Sequence, residues 1–153
     1  MIRAVRRNLK DGRFTQGAST LSMQLVRNTF QIREKSLHRK LLEIALTLRL
    51  ENRYAKDEIL THYLNRIYFG SGFYGIRSAS LGYYGKEPMD LKAEECASLV
   101  TLIKNPNRRS PLNNPGINRD GRNYVLMRMN DEGMISDDEY EEAVDKPLGL
   151  NPK

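Results

Sequence analysis

Five apolar residues, Leu37, Leu41, Ile44, Ala45 and Leu48, recur at i, i+4, i+7, i+8 and i+11. That spacing draws one apolar stripe along an α-helix. The opposite face of the same segment carries Ser36, Arg39, Lys40, Glu43, Thr47 and Glu51. A stripe of this kind ordinarily faces a core and leaves the polar face to solvent. No alternating apolar/polar pattern longer than a few residues competes with it, so the expected fold class is all-α.

Further helices are predicted by the same period and by their stop signals. Residues 57–67 place Ile59, Leu60, Tyr63 and Leu64 inward. Asp90 is a candidate cap for a helix over 91–104, which Asn105 and Pro106 would stop. Residues 119–132 form another, with Gly133 as its C-terminal glycine. Ser136 with Glu139 three positions on is a capping box opening a last helix through Lys146. Two stretches break the pattern: a glycine-spaced aromatic turn at 70–75 and a loop at 106–115. The loop region 106–118 is the weakest point of the chain. The helices beyond it look too short for a core of their own, so one domain over 1–153 is expected.

Charge is unevenly placed. Residues 1–40 hold ten Lys and Arg against two Asp and Glu, a net of +8, while residues 131–153 come to −6. A basic N-terminal third implies an anionic partner. Nucleic acid is disfavoured, because that third holds only Phe14 and Phe30 as stacking aromatics. The single cysteine, Cys96, excludes an internal disulfide and reads as a small buried hydrophobe. His38 and His62, the two histidines, give little support to zinc or a histidine triad and read as surface or packing residues. No apolar run approaches the roughly 18 residues of a membrane-spanning helix.

Chemistry concentrates at Glu43. On a helix it follows Arg39 by four residues and Lys40 by three, so the three heads share a face. The commoner meaning of such a trio is a surface ion pair worth under about 1 kcal/mol. Two cations beside a carboxylate also suit a phosphate, or a divalent cation (Mg or Mn) bridging Glu43 and a pyrophosphate. Upstream, residues 16–21 supply a glycine and hydroxyls at a helix start, where backbone N–H groups favour an anion. Simple N-capping by Ser19 or Thr20 is the commoner role. Gln24, Arg27 and Asn28 then project polar groups from adjacent turns, with Leu21, Leu25 and Val26 facing the core.

The run Gln16-Gly17-Ala18-Ser19-Thr20-Leu21-Ser22-Met23-Gln24-Leu25-Val26-Arg27-Asn28 closely resembles the second motif of the family 51 glycosyltransferases. These are the peptidoglycan glycosyltransferase domains of class A penicillin-binding proteins. Arg39-Lys40-x-x-Glu43, running on to Glu51, resembles the third motif. Residues 56–75, with Lys56, Glu58, Tyr63, Asn65, Tyr68, Gly70, Gly72 and Gly75, resemble the fourth. Residues 91–99 resemble the fifth, with Cys96 where the family usually has Ala, and the tail from Arg122 resembles the end of that domain.

The resemblance implies a lysozyme-like, mostly helical transferase that polymerises lipid II at the external face of the bacterial cytoplasmic membrane, with a small lobe dipping into the bilayer. Its partners would be lipid II, the growing lipid-linked glycan strand, the membrane surface and other cell-wall synthesis proteins. It implies that Glu43 helps at the leaving pyrophosphate, directly or through a divalent cation. Arg27 matches a basic residue that contacts phosphate, Lys35 a position that is Arg or Lys, and Arg39 and Lys40 the rest of a cationic wall. Ser19, Thr20, Gln24 and Tyr68 match positions lining the cleft, and Asn28 joins them as a substrate-side polar group. The family's first motif, which carries its general-base glutamate, would fall before Ile2, and no glutamate precedes Asp11. The expectation is therefore a domain incomplete at its N-terminus, without anchor or transpeptidase, and impaired in turnover; a positioned base is typically worth 10²–10⁴ in rate. Thr47 stands where the family usually has Ala. Two other readings remain: a lysozyme-like lytic enzyme, which would need no cationic wall, and a non-catalytic module that binds lipid pyrophosphates.

Overall fold

The computed structural model describes residues 20–30 and 37–151, the side chain of Arg39 excepted. Expectations placed on Ser19, Lys35 and the Arg39 side chain lie outside the described residues. Helices account for the regular structure that is described, α1 Leu21–Phe30, α2 Leu37–Arg53, α3 Lys56–Leu64, α4 Ile76–Tyr84, α5 Ala93–Lys104, α6 Pro115–Asp131 and α7 Asp137–Asp145. The chain divides into two compact units, up to Arg66 and from Ile67. The division does not fall at the 106–118 loop.

In the first unit, α1 opens with the Thr20 hydroxyl accepting the Met23 N–H at 3.2 Å, as the capping reading expected. Ser22, Met23, Leu25 and Val26 are buried. Leu21 is not; it is exposed, lying roughly a third of a turn from the centre of that face. The second helix, α2, corrects the first expectation. Its leucine stripe points outward, with Leu37 87% and Leu41 67% exposed, while Glu43 is 0% exposed and Thr47 is buried. The period was real, but α1 presents Arg27, and a carboxylate on α2 can pair with it only by turning the polar face inward. Thr47 settles there by donating to the Glu43 carbonyl at 2.6 Å. α3 begins where the Glu58 carboxylate accepts the Ala55 N–H at 2.8 Å. It buries Ile59 and Tyr63 but leaves Leu60 exposed, and it closes at Leu64, three residues earlier than expected.

The second unit opens on the aromatic turn. Gly70 takes φ +87°, and an added Cβ there would meet the Pro106 carbonyl at 3.0 Å, so only glycine suits it. The turn is closed by Phe69 N–H to Phe73 O, 2.9 Å, and by the Tyr83 hydroxyl donating to Phe69 O, 3.0 Å. Helix α4 was not anticipated from the sequence; it runs between Gly75 and Gly85, and Phe73 lies across Gly82 so closely that a Cβ would overlap its ring. Asp90 caps nothing: it sits in a 3-10 turn, Pro88–Asp90, and α5 starts at Ala93, where Glu95 accepts the Lys92 N–H. α6 starts at Pro115, four residues before its expected start, because proline is preset for the first helical position. Ser136 and Glu139 form the expected box at α7, with Glu139 N–H to Ser136 Oγ at 3.2 Å and Ser136 N–H to Glu139 Oε2 at 2.8 Å.

Helices α6 and α7, beyond the loop, share their core with α5, which precedes it, with Ala97, Leu126 and Ala143 at its centre. Buried Asn118 ties α5, α6 and the loop between them. Its amide accepts from Ser98 Oγ at 2.6 Å and donates to Thr101 Oγ1 and Arg109 O at 3.0 and 2.8 Å.

Candidate anion site around Glu43

α1 and α2 bring Arg27, Lys40 and Glu43 together across sixteen residues of sequence. Arg27 Nε stands 3.0 Å from Glu43 Oε1 and its Nη2 3.4 Å from Oε2, a two-point grip that a planar guanidinium is built for. Lys40 Nζ reaches Glu43 Oε2 at 3.3 Å and also lies 3.9 Å from Met23 Sδ. The carboxylate is fully covered, yet the two cations over it are 37% and 35% exposed. Its cover is therefore thin and positively charged rather than apolar.

That environment decides the protonation state of Glu43. Burial pushes its carboxyl up, and the hydrogen bonds and charges of Arg27 and then Lys40 more than offset this, so it lies below the usual carboxylate range. Glu43 is thus a permanent anion at neutral pH. It is a poor proton donor and a poor proton acceptor, and it serves to hold two cations side by side. Arg27 and Lys40, each about one-third exposed, set two cations side by side at one partly solvated point, a chemistry suited to an anion with several oxygens.

Gln24, one turn before Arg27 on α1, accepts from the buried Tyr63 hydroxyl of α3 at 3.1 Å. Asn28 is exposed on α1, outside the Glu43 cluster. Tyr68 belongs to the second unit's turn, where its ring lies 4.8 Å from that of Tyr74 and its backbone pairs with Tyr74. His62 packs edge-on against Tyr54, and Cys96 is half-buried, with burial pushing its thiol up. A separate cleft of about 520 Å³ lies between the start of α1 and the α2–α3 turn, lined among others by Thr20, Glu51, Tyr54 and Ile59. Among the described residues, Thr20 alone of the expected site positions borders it. Sequence reasoning missed Tyr63 as a polar partner, since its period marked it only as an inward side chain.

A resident divalent cation does not fit these residues. Both Glu43 oxygens already accept from cationic donors, and among the described residues no group of three or more His, Cys, Asp or Glu could hold a metal. Hard cations prefer several oxygen ligands free of competing positive charge.

Comparison with known proteins agrees with the motifs. Residues 1–130 match the Transglycosylase family. Penicillin-binding protein 1A of Aquifex aeolicus is 43% identical over 148 residues, covering 97% of this chain and 20% of the relative. The protein of the same name from Pseudomonas aeruginosa is 42% identical over 151 residues, 99% of this chain and 18% of the relative. The crystal structure of penicillin-binding protein 1A from Haemophilus influenzae superposes with a TM-score of 0.57 at 30% identity, covering 85% of this chain and 17% of that one. This chain spans about a fifth of the length of those relatives. The family match runs over most of the chain, so the chain belongs to the transglycosylase family.

Proposed function

We propose that this chain performs the leaving-group half of peptidoglycan glycosyl transfer: it grips the pyrophosphate of a lipid-linked sugar while lipid II is polymerised into glycan strands. The observation that carries this is a glutamate wholly buried yet held ionised beneath Arg27 and Lys40. As the anomeric C–O bond breaks, negative charge gathers on the departing pyrophosphate. Fixed cations at that point stabilise the transition state more than the ground state. Glu43 keeps the cations from repelling one another and fixes their spacing.

The same observation speaks against a lytic enzyme. A lysozyme-type acid must carry a proton near neutral pH, which requires a raised carboxyl pKa. That of Glu43 is lowered. Contact with a membrane surface is supported by the outward leucines of α2, Leu37, Leu41, Leu42 and Leu48, on a chain of net charge +6. Among the described residues, no helix is long and apolar enough to cross a membrane. The external face of the bacterial cytoplasmic membrane follows from lipid II as substrate.

Titrating undecaprenyl pyrophosphate in detergent micelles tests the reading. The chain is expected to bind it, and Arg27→Ala to weaken binding about tenfold or more, the scale of one lost charge-assisted hydrogen bond. Unaltered binding by Arg27→Ala, or soluble fragments released from purified peptidoglycan, would refute it.

A further inference from the structure

We infer that Tyr63 is a positioning residue which fixes the amide of Gln24 so that its Nε2 donor, and not its oxygen, is offered to the anion held by Arg27. This rests on the pyrophosphate reading above and adds a residue to it.

A glutamine head is a donor on one side and an acceptor on the other, and the two ends differ little in shape. Beside an anion site the difference is decisive, because the oxygen repels a phosphate and the NH2 group binds it. Gln24 precedes Arg27 by three residues on α1, so the two heads share a face. Left free, the amide would sample both orientations.

Tyr63 removes that choice. It is 1% exposed, and its hydroxyl meets the Gln24 amide at 3.1 Å. The side chains of Tyr63 and Gln24 make no other hydrogen bond among the described residues. A buried phenol must place its proton on an acceptor or lose hydration without return. If Gln24 turned its NH2 group inward, two donors would face each other or the phenol proton would be stranded. With Oε1 inward, the phenol donates and is satisfied. Both Nε2 protons then remain without that inward partner, on a half-buried residue of the helix face that also carries Arg27.

The arrangement also separates two roles that otherwise look alike. Tyr63 touches no candidate ligand atom; it acts only through Gln24. Its contribution to ligand binding must therefore vanish when Gln24 is removed, whereas a merely structural tyrosine would add its effect to any other change.

The test measures the dissociation constant for undecaprenyl pyrophosphate in detergent micelles, with thermal unfolding recorded for each variant. Tyr63→Phe keeps the ring and is expected to weaken binding about 3- to 10-fold, the range of one neutral hydrogen bond. Gln24→Ala should weaken it at least as much, and the double variant no further. Gln24→Glu keeps an acceptor for Tyr63 but replaces the outward donor with a negative oxygen. It should lose at least as much binding with its unfolding temperature unchanged. Wild-type affinity in Tyr63→Phe, additive losses in the double variant, or wild-type affinity in Gln24→Glu would each overturn the inference while a loss in Arg27→Ala left the pyrophosphate reading standing. Should Tyr63→Phe fail to fold, Gln24→Glu decides alone. Unaltered binding in Arg27→Ala would overturn both.

Discussion

Among the described residues, each unit of the chain buries one charged side chain completely, and the two burials serve opposite ends. In the second unit Arg122 of α6 is 0% exposed and donates to Val144 O at 2.8 Å and Lys146 O at 2.7 Å, the carbonyls that α7 leaves unpaired at its C-terminus. The guanidinium is consumed within the fold, its Nε donating to Asn123 Oδ1 and its other nitrogens to backbone. Nothing of it is left for a ligand, and its charge is placed where a helix dipole favours a cation. In the first unit Glu43 is matched by side chains, and those side chains reach solvent. A charge spent on carbonyls fastens a fold; a charge spent on half-exposed cations prepares a surface.

This contrast can be broken by substitution, and the largest effect is expected at Arg122. Arg122→Leu strands at least two part-buried carbonyls and should cost about 3–5 kcal/mol in urea unfolding, the range for removing one partner of a buried charge interaction. If unfolding barely shifts, the fastening role is wrong. Gly82→Ala should follow at about 2–3 kcal/mol, because its Cβ overlaps the Phe73 ring and the turn must move to admit it. The same denaturation measurement checks it, and ligand affinity should change less than stability.

Glu43→Gln should reverse that ranking. Arg27 and Lys40 are about one-third exposed and can rehydrate, so the stability loss is expected to be only about 1–2 kcal/mol. Affinity for a lipid pyrophosphate, by contrast, should fall markedly as the cations lose their spacing. Calorimetry and titration on the same samples would sharpen the comparison.

Acid provides a finer probe. The folded carboxyl of Glu43 lies below its reference value of 4.5, so its contribution is complete above that pH. It disappears as pH falls from there through the folded value, because protonation is more costly in the folded chain. The stability gap between wild type and Glu43→Gln should therefore stay level above about pH 5 and narrow below about pH 4.5. A gap that widened on acidification would show the carboxyl raised rather than lowered. The smallest expected shift belongs to Leu41→Ser, within about 0.5 kcal/mol in unfolding, since that side chain is already outside. Its effect should show in vesicle binding instead.

How far these two regions could be read from sequence differs as well. The capping box at Ser136 was legible because both partners lie within four residues and the hydrogen bonds are local. Gly133 and the cap at Thr20 were legible for the same reason. α2 was legible as a helix but not in orientation. Its leucine period says that one face is apolar; only Arg27, on another helix, decides which face turns inward. Helix α4 went unseen since Ile76–Tyr84 carries serines and a glycine, and its burial comes from Phe73 folding back over Gly82. The trio of Arg27, Lys40 and Glu43 was found through motif resemblance joined to i, i+3 spacing. Tyr63 against Gln24 was not, because thirty-nine residues separate them and a tyrosine on an inward face needs no polar partner to be expected there.

The outward leucines of α2 carry a practical corollary for anyone purifying this molecule. Dilute buffer lets like charges hold copies apart, but added salt shortens the reach of that repulsion and leaves the oily flank to find another of its kind. Clumping should therefore worsen with ionic strength, and mild surfactant should cure it.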